Sequence, residues 1–215
     1  MTLVKLSYKL FLREFKSGQL LLMFLSLTLA VGIVASISLF TDRLDKSLLA
    51  ESKEFLGGDL KYESSSPLDE NKLPELEFES VKTYLFGTML STKDNFQLAS
   101  VKSTEAPYPL VSEIEIFNGK IASKLKSPPK PNEIWLDQRL VNLLEIEIGS
   151  SINVGETNLT FSGIIYSEPD RGAGSFAFAP TAIMNSANLE KSGVIKPGSR
   201  VRYSYLFKAN QNVIN

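Results

Sequence analysis

Residues 18–40, GQLLLMFLSLTLAVGIVASISLF, run for 23 positions without a charge. As a helix rising about 1.5 Å per residue, such a stretch covers the roughly 30 Å hydrocarbon layer of a bilayer. Thirteen of the 23 residues are Leu, Ile, Val or Phe. At about −0.3 to −0.6 kcal/mol each near a helix centre they favour insertion by about 4 to 8 kcal/mol, which the interspersed Ser, Thr, Gly and Gln weaken without reversing. A chain holding this stretch either spans a membrane or carries a leader that is cut away. A signal peptide has an apolar core of about 7 to 15 residues followed by small residues at the cut. Ala35 and its neighbouring serines resemble such a site, but the core is too long, so the span is expected to stay attached.

The flanks extend this reading. Val4, Tyr8, Phe11 and Phe15 fall on one helical face and Lys5, Lys9, Arg13 and Lys16 on another, the pattern of a helix lying in a membrane interface. Residues 1–17 are therefore expected to form a cytoplasmic amphipathic helix and residues 18–40 a transmembrane helix. The Lys/Arg rule supports that orientation only in part, because Arg43, Lys46 and Lys53 follow the span closely. Within the span Thr28, Gly32 and Ser36 recur every four residues. Such a strip lets another transmembrane helix approach, although small residues are common in these helices anyway. Thr41 is placed to cap a stalk helix over 41–58, with Phe40, Leu44, Leu48 and Phe55 on one side and Gly57-Gly58 as its end.

From 59 onward, short β-type runs alternate with turns, at 59–63, 81–91, 96–102, 112–117, 133–136, 151–154, 159–166 and 200–207. Helices are expected at 137–144 and 182–189, and Pro- and Ser-rich stretches at 67–74 and 127–131 read as exposed loops. The fold class is α+β: a transmembrane helix and a stalk helix followed by a mixed α+β extracytoplasmic domain over 59–215. Residues 209–215 follow a strand without a closing element, and the small-residue strip has no partner helix in the sequence, so the chain is expected to be the N-terminal piece of a longer protein.

The composition removes several chemistries. The chain has no Cys and no His, so thiol nucleophiles, disulfides, imidazole bases and nearly every zinc site are excluded. After the four cations and one acid of the first 17 residues, 19 cations face 23 acids, the wrong balance for a nucleic-acid surface. Gly172-Ala173-Gly174-Ser175-Phe176-Ala177 matches G-x-G-x-x-A. A dinucleotide loop must pass straight into a helix, however, and here an aromatic stretch closed by Pro180 follows, so the segment reads as a loop. Glu113/Glu115 and Glu145/Glu147 alternate with Ile114, Ile116, Ile146 and Ile148, as on the solvated side of a half-buried strand rather than in a two-carboxylate site. Ser52-Lys53 and Ser123-Lys124 are adjacent pairs on charged stretches, without the S-x-x-K context of a serine nucleophile. No catalytic, cofactor-binding or metal-ligating residue is assigned, and no cofactor is expected.

Several segments in order resemble the permease subunits of the MacB/FtsX-like ABC transporter superfamily, most closely its YbbP-type members. They are LFLREFKSGQLLLMFLSLTLAV, TDRLDKSLLAESKEFLGGDLKY, EIWLDQRLVNLLEIEIGSSINVG, GIIYSEPD, FAPTAIMNSANLEKSGVIKPGSR and VRYSYLF. The resemblance implies a cytoplasmic N-terminus, a bacterial inner-membrane location and a MacB-like periplasmic core domain between the first two transmembrane helices. It also implies partners: a separate cytoplasmic ABC ATPase, a second permease subunit and membrane lipid, with no nucleic acid. Such a permease is not itself an enzyme and couples ATP hydrolysis by its partner to export or extraction of a substrate, lipids and lipoproteins among the classes implied. The absence of G-x-x-x-x-G-K-[ST] fits that division of labour. The residues alone also allow a membrane-anchored extracytoplasmic binding or scaffold module, and a membrane-anchored hydrolase stands last.

Overall fold

A computed structural model describes residues 2–16, 18–68, 78–170, 178–196 and 198–209. The chain divides into two compact units, Met1–Ala50 and Glu51–Asn215.

The first unit holds α1 (Thr2–Lys16) and the greater part of α2 (Gln19–Leu56), separated at Gly18, whose φ of +82° lies where side chains other than glycine's are strained. The Leu22 amide donates to the Gly18 carbonyl at 3.0 Å and opens the ladder of α2. Leu20–Leu48 is long and apolar enough to cross a membrane. Three hydroxyls within it are satisfied locally, Ser26, Thr28 and Ser36 donating to the carbonyls of Met23, Phe24 and Gly32 at 2.9, 2.8 and 2.7 Å. Thr41 behaves alike, donating to Ile37 O at 3.0 Å. The expected cap at Thr41 is therefore absent, and span and stalk form one helix of 38 residues. A back-bonded threonine does not free its own amide to end a helix, and no Gly or Pro stands nearby to do so.

The second unit is α+β. Its strands are β1 (Leu60–Ser64), β2 (Phe78–Ser91), β3 (Phe96–Thr104), β4 (Ile114–Phe117), β5 (Ala122–Leu125), β6 (Glu133–Asp137), β7 (Ser151–Val154), β8 (Thr157–Ser167), β9 (Thr181–Asn185) and β10 (Val201–Ala209). They form one mixed sheet in the order β1-β10-β2-β3-β9-β6-β8-β4-β5, with β3/β9 and β6/β8 parallel and the other pairs antiparallel. β7 pairs with both β2 and β8, so the sheet bends round to bring those two strands to a common neighbour. α3 (Gln138–Leu144) packs inside the bend, and a 3-10 turn (Ser186–Asn188) runs into α4 (Leu189–Ser192).

Alternation along the strands sorts side chains to two cores. Phe86, Leu90, Ala99, Val101, Ile134, Leu136, Phe161 and Met184 meet Leu140 and Leu144 of α3 on one face. Val81, Tyr108, Leu110, Ile114, Trp135, Ile183 and Leu206 gather on the other. Asp137 joins strand to helix: its Oδ1 accepts from Leu140 N at 2.9 Å as the N-cap of α3, and its Oδ2 accepts from Thr181 N at 3.1 Å.

Two further expectations change. Residues 182–189 form β9 and the 3-10 turn before any helix, because β9 is a central strand whose first four residues are all buried. Glu145 to Ile148 are not a strand: Glu145 ends α3 in a left-handed conformation with φ +52°. The expected loops are found only in part, since Pro128 and Pro129 are buried and residues 69–74 lie outside the described residues.

Candidate functional site

The place where charge, burial and backbone geometry converge is the end of α2. Gly57 leaves the helix with φ +70°, and its carbonyl accepts from the amides of Leu110 at 2.9 Å and Val111 at 3.3 Å. A Cβ added at Gly57 would lie 3.5 Å from Pro109 Cβ, 3.6 Å from Asp170 Cβ and 3.8 Å from Leu206 Cδ1. The chain then enters β1 as the Asp59 amide donates to Phe207 O at 2.9 Å. The last carbonyls of a helix have no partner within it, and here the domain supplies one.

Against this turn lies a buried ionic network. Lys102 of β3 and Lys61 of β1, with side chains 3% and 12% exposed, face Glu168 and Asp170, 3% and 4% exposed, just beyond β8. The charges cancel, as burial demands. Lys102 pairs with Glu168, donates to Tyr108 Oη at 2.9 Å and to the Asp170 carbonyl at 2.7 Å, and lies 3.7 Å from Asp170 Oδ2. Lys61 pairs with Asp170 and with Glu63 at 2.5 Å. Tyr108 passes the chain of bonds on, donating to Pro169 O at 3.4 Å. Asp170 is held with φ +57°, a conformation that only a well-determined surrounding maintains in a residue with a Cβ.

Burial by itself would lower the affinity of the Lys102 amine for its proton. The Glu168 carboxylate, with Tyr108 and Asp170, outweighs it and holds the ammonium above the ordinary lysine range. Burial pushes the Tyr108 phenol up, against the pull of Lys102. At neutral pH the pair is thus a charged ammonium and a neutral phenol. An ammonium so held is not a nucleophile, and its bonds tie β3 to the segment just beyond β8.

The sequence candidates lie elsewhere. Glu113 is exposed ahead of β4, Glu115 pairs with Lys124 of β5 at 3.4 Å on the surface, and Glu145 and Glu147 are exposed beyond α3. Ser123 and Lys124 sit on β5, while the Ser52 and Lys53 side chains and the stretch from Gly172 to Ala177 lie outside what is described. Among the described residues no three acidic side chains converge as a metal site requires. A groove of about 450 Å³ is lined by Tyr84, Glu105, Ser186, Leu189, Glu190 and Ile195. Sequence reasoning missed Lys102, Lys61, Tyr108, Glu168 and Asp170. No local signal marked them, since Lys102 stands between Ser100 and Thr104 on its face of β3, as a solvated lysine would.

Comparison with known proteins finds similarity to an ABC transporter permease, the class that the segments resemble. It is 34% identical over 208 residues, 95% of its length, to the Escherichia coli K12 protein named uncharacterized ABC transporter permease YbbP, and it spans 25% of that protein's length. No protein-family model matches the chain. Among solved structures, the extracellular domain of the noncanonic ABC-type transporter YknZ from Gram-positive bacteria is similar with a TM-score of 0.43 at 8% identity, over 63% of this chain and 67% of that one. The periplasmic region of MacB from Actinobacillus actinomycetemcomitans gives a TM-score of 0.40 at 11% identity, over 61% of this chain and 60% of that one.

Proposed function

We propose that the chain forms part of a permease subunit that couples ATP hydrolysis by a separate cytoplasmic ATPase to export or extraction of a substrate at the bacterial inner membrane. Residues 18–40 cross the bilayer, residues 59–215 stand in the periplasm, and a second permease subunit completes the complex. The observation that carries the reading is the similarity to a permease along 95% of the chain. The unbroken course of α2 from the apolar stretch to Leu56 adds the means. A helix can carry displacement along its axis, and the main-chain bonds on Gly57 tie the turn after Leu56 to the segment between β3 and β4. Transport is then a mechanical task of packing and backbone bonds, with the chemistry left to the ATPase.

The test is Leu48→Pro in the full-length complex, with Leu48→Ala as its control. Proline inside a helix removes a backbone bond and clashes with the preceding turn, at about 3 kcal/mol. Leu48 is exposed, so the substitution acts on the helix and not on a core. The expected result is ATP hydrolysis without substrate movement for the proline variant and normal transport for the alanine one. Normal transport in both counts against mechanical coupling through α2.

A further inference from the structure

At 3.6 residues per turn, Lys5, Lys9, Arg13 and Lys16 of α1 fall within an arc of about 80°. Leu3, Val4, Tyr8, Leu10, Phe11 and Phe15 occupy about 160° on the opposite side, interrupted by Ser7 and Glu14. Four cations against one acid give the helix a charge of +3. Tyr8 and Leu10 are 64% and 44% exposed and Lys5, Lys9 and Arg13 are exposed, so both faces are open to a partner.

Charge and connectivity select that partner. α1 ends at Lys16 and α2 begins at Gln19, a distance that extended chain covers in about 10 Å. Lys16 therefore stands within about one Debye length of the surface that α2 enters, and Lys5, Lys9 and Arg13 come as close when α1 lies along that surface, where anionic headgroups attract them. An apolar arc rich in aromatic residues and nearly half the circumference wide suits the boundary between headgroups and acyl chains. A purely ionic contact with an acidic protein has no use for it. Gly18, with its positive φ, turns the chain between the two helices so that α1 need not continue along the axis of α2.

We propose that α1 is an interfacial anchor that docks on the leaflet through anionic phospholipid and lifts from a neutral one. The inference rests on the reading of residues 18–40 as a bilayer crossing. Its determinants are the cationic arc, which senses the headgroups, and the apolar arc, which enters the acyl boundary. Each Lys or Arg held at an anionic surface strengthens attachment about fivefold, so neutralising three of them weakens docking about a hundredfold.

The chain lacks cysteine, so a nitroxide can be placed at one site without background. In the full chain, Tyr8→Cys and Leu29→Cys are labelled separately in nanodiscs of phosphatidylcholine alone and of phosphatidylcholine and phosphatidylglycerol in equal parts. Collision with oxygen reports lipid, and collision with a nickel chelate reports water. The expected result is a Tyr8 label in lipid in the anionic discs and in water in the neutral ones. The triple variant Lys5→Gln, Lys9→Gln, Arg13→Gln should release it, as should 1 M salt, which shortens the Debye length to about 3 Å. A Tyr8 label equally in lipid, or equally in water, in both discs overturns the proposal. One shielded from both reagents marks a protein contact and also overturns it. A Leu29 label that meets water refutes the crossing itself, whereas a lipid-buried Leu29 beside a Tyr8 label that ignores phosphatidylglycerol refutes the anchor alone.

Discussion

Lys102→Met tests the reading of the buried network as a brace. The substitution keeps the length of the stem, which packs beneath the charge, and removes the ammonium. In the parent, Lys61 and Lys102 balance Glu168 and Asp170 at side-chain exposures of 12% or less. The variant leaves one carboxylate uncompensated where water scarcely reaches, at a cost of about 3 to 5 kcal/mol. Trp135, the one tryptophan of the chain and 4% exposed, reports unfolding of the sheet by fluorescence. In urea, with an unfolding slope of about 2 kcal/mol per molar, the midpoint of the detergent-solubilised chain should fall by about 1.5 to 2.5 M. Guanidinium would screen the interaction under study and is unsuitable. Adding Glu168→Gln to the variant restores neutrality, leaving Lys61 against Asp170. The double variant should regain about 2 kcal/mol relative to the sum of the two single changes. A Lys102→Met chain within about 1 kcal/mol of the parent, or two substitutions that simply add, would show that the four charges do not act as a unit.

Three further outcomes follow from the same structure. A Cβ at Gly155, where φ is +59°, would stand 2.1 Å from the Ser192 carbonyl oxygen and 2.7 Å from Val194 Cγ1, so Gly155→Ala should cost about 3 kcal/mol or more by urea unfolding. Alkali should unfold the domain through Lys102 and Tyr108. Both hold their protons more tightly folded than their ordinary values of 10.5 and 10.0, so below about pH 10 both states are protonated and the contribution is complete. Above that the unfolded chain releases protons that the folded one keeps, and stability should fall by up to about 2.7 kcal/mol per pH unit for the two groups together. Lys102→Met combined with Tyr108→Phe should flatten that slope between pH 10 and 11.5 in Trp135-monitored urea titrations. Gly57→Ala, strained by its positive φ, should cost about 1 to 2 kcal/mol, and a melting temperature equal to the parent's would count against the strain.

What was legible in the sequence was what repeats locally. The apolar span needs only composition, β7 and the starts of β3 and β6 needed only alternation, and Gly57 announced a helix end by its own backbone preference. β9 was misread because TAIMNSANL places apolar residues at helical as well as strand intervals. Parallel pairing with β3 decided the outcome, and that register is invisible from within the segment. β5, ASKL, is a four-residue edge strand with no β-branched residue and gave no signal. The ionic network was illegible for a further reason. Lys61, Lys102 and Asp170 stand at least 41 residues apart in the chain, and no rule of local spacing joins charges brought together by a bent sheet.

The grip on Gly57 is made by peptide groups alone, from Leu110 and Val111 to a glycine carbonyl. The side chain at 111 can therefore change, provided it does not become an imino acid, without removing this fastening, whereas Leu110 also fills the core. The adjoining charges have no such tolerance, since each depends on the identity of three others. Mutational drift should thus wear at the salts long before it reaches the seam of amides beneath them.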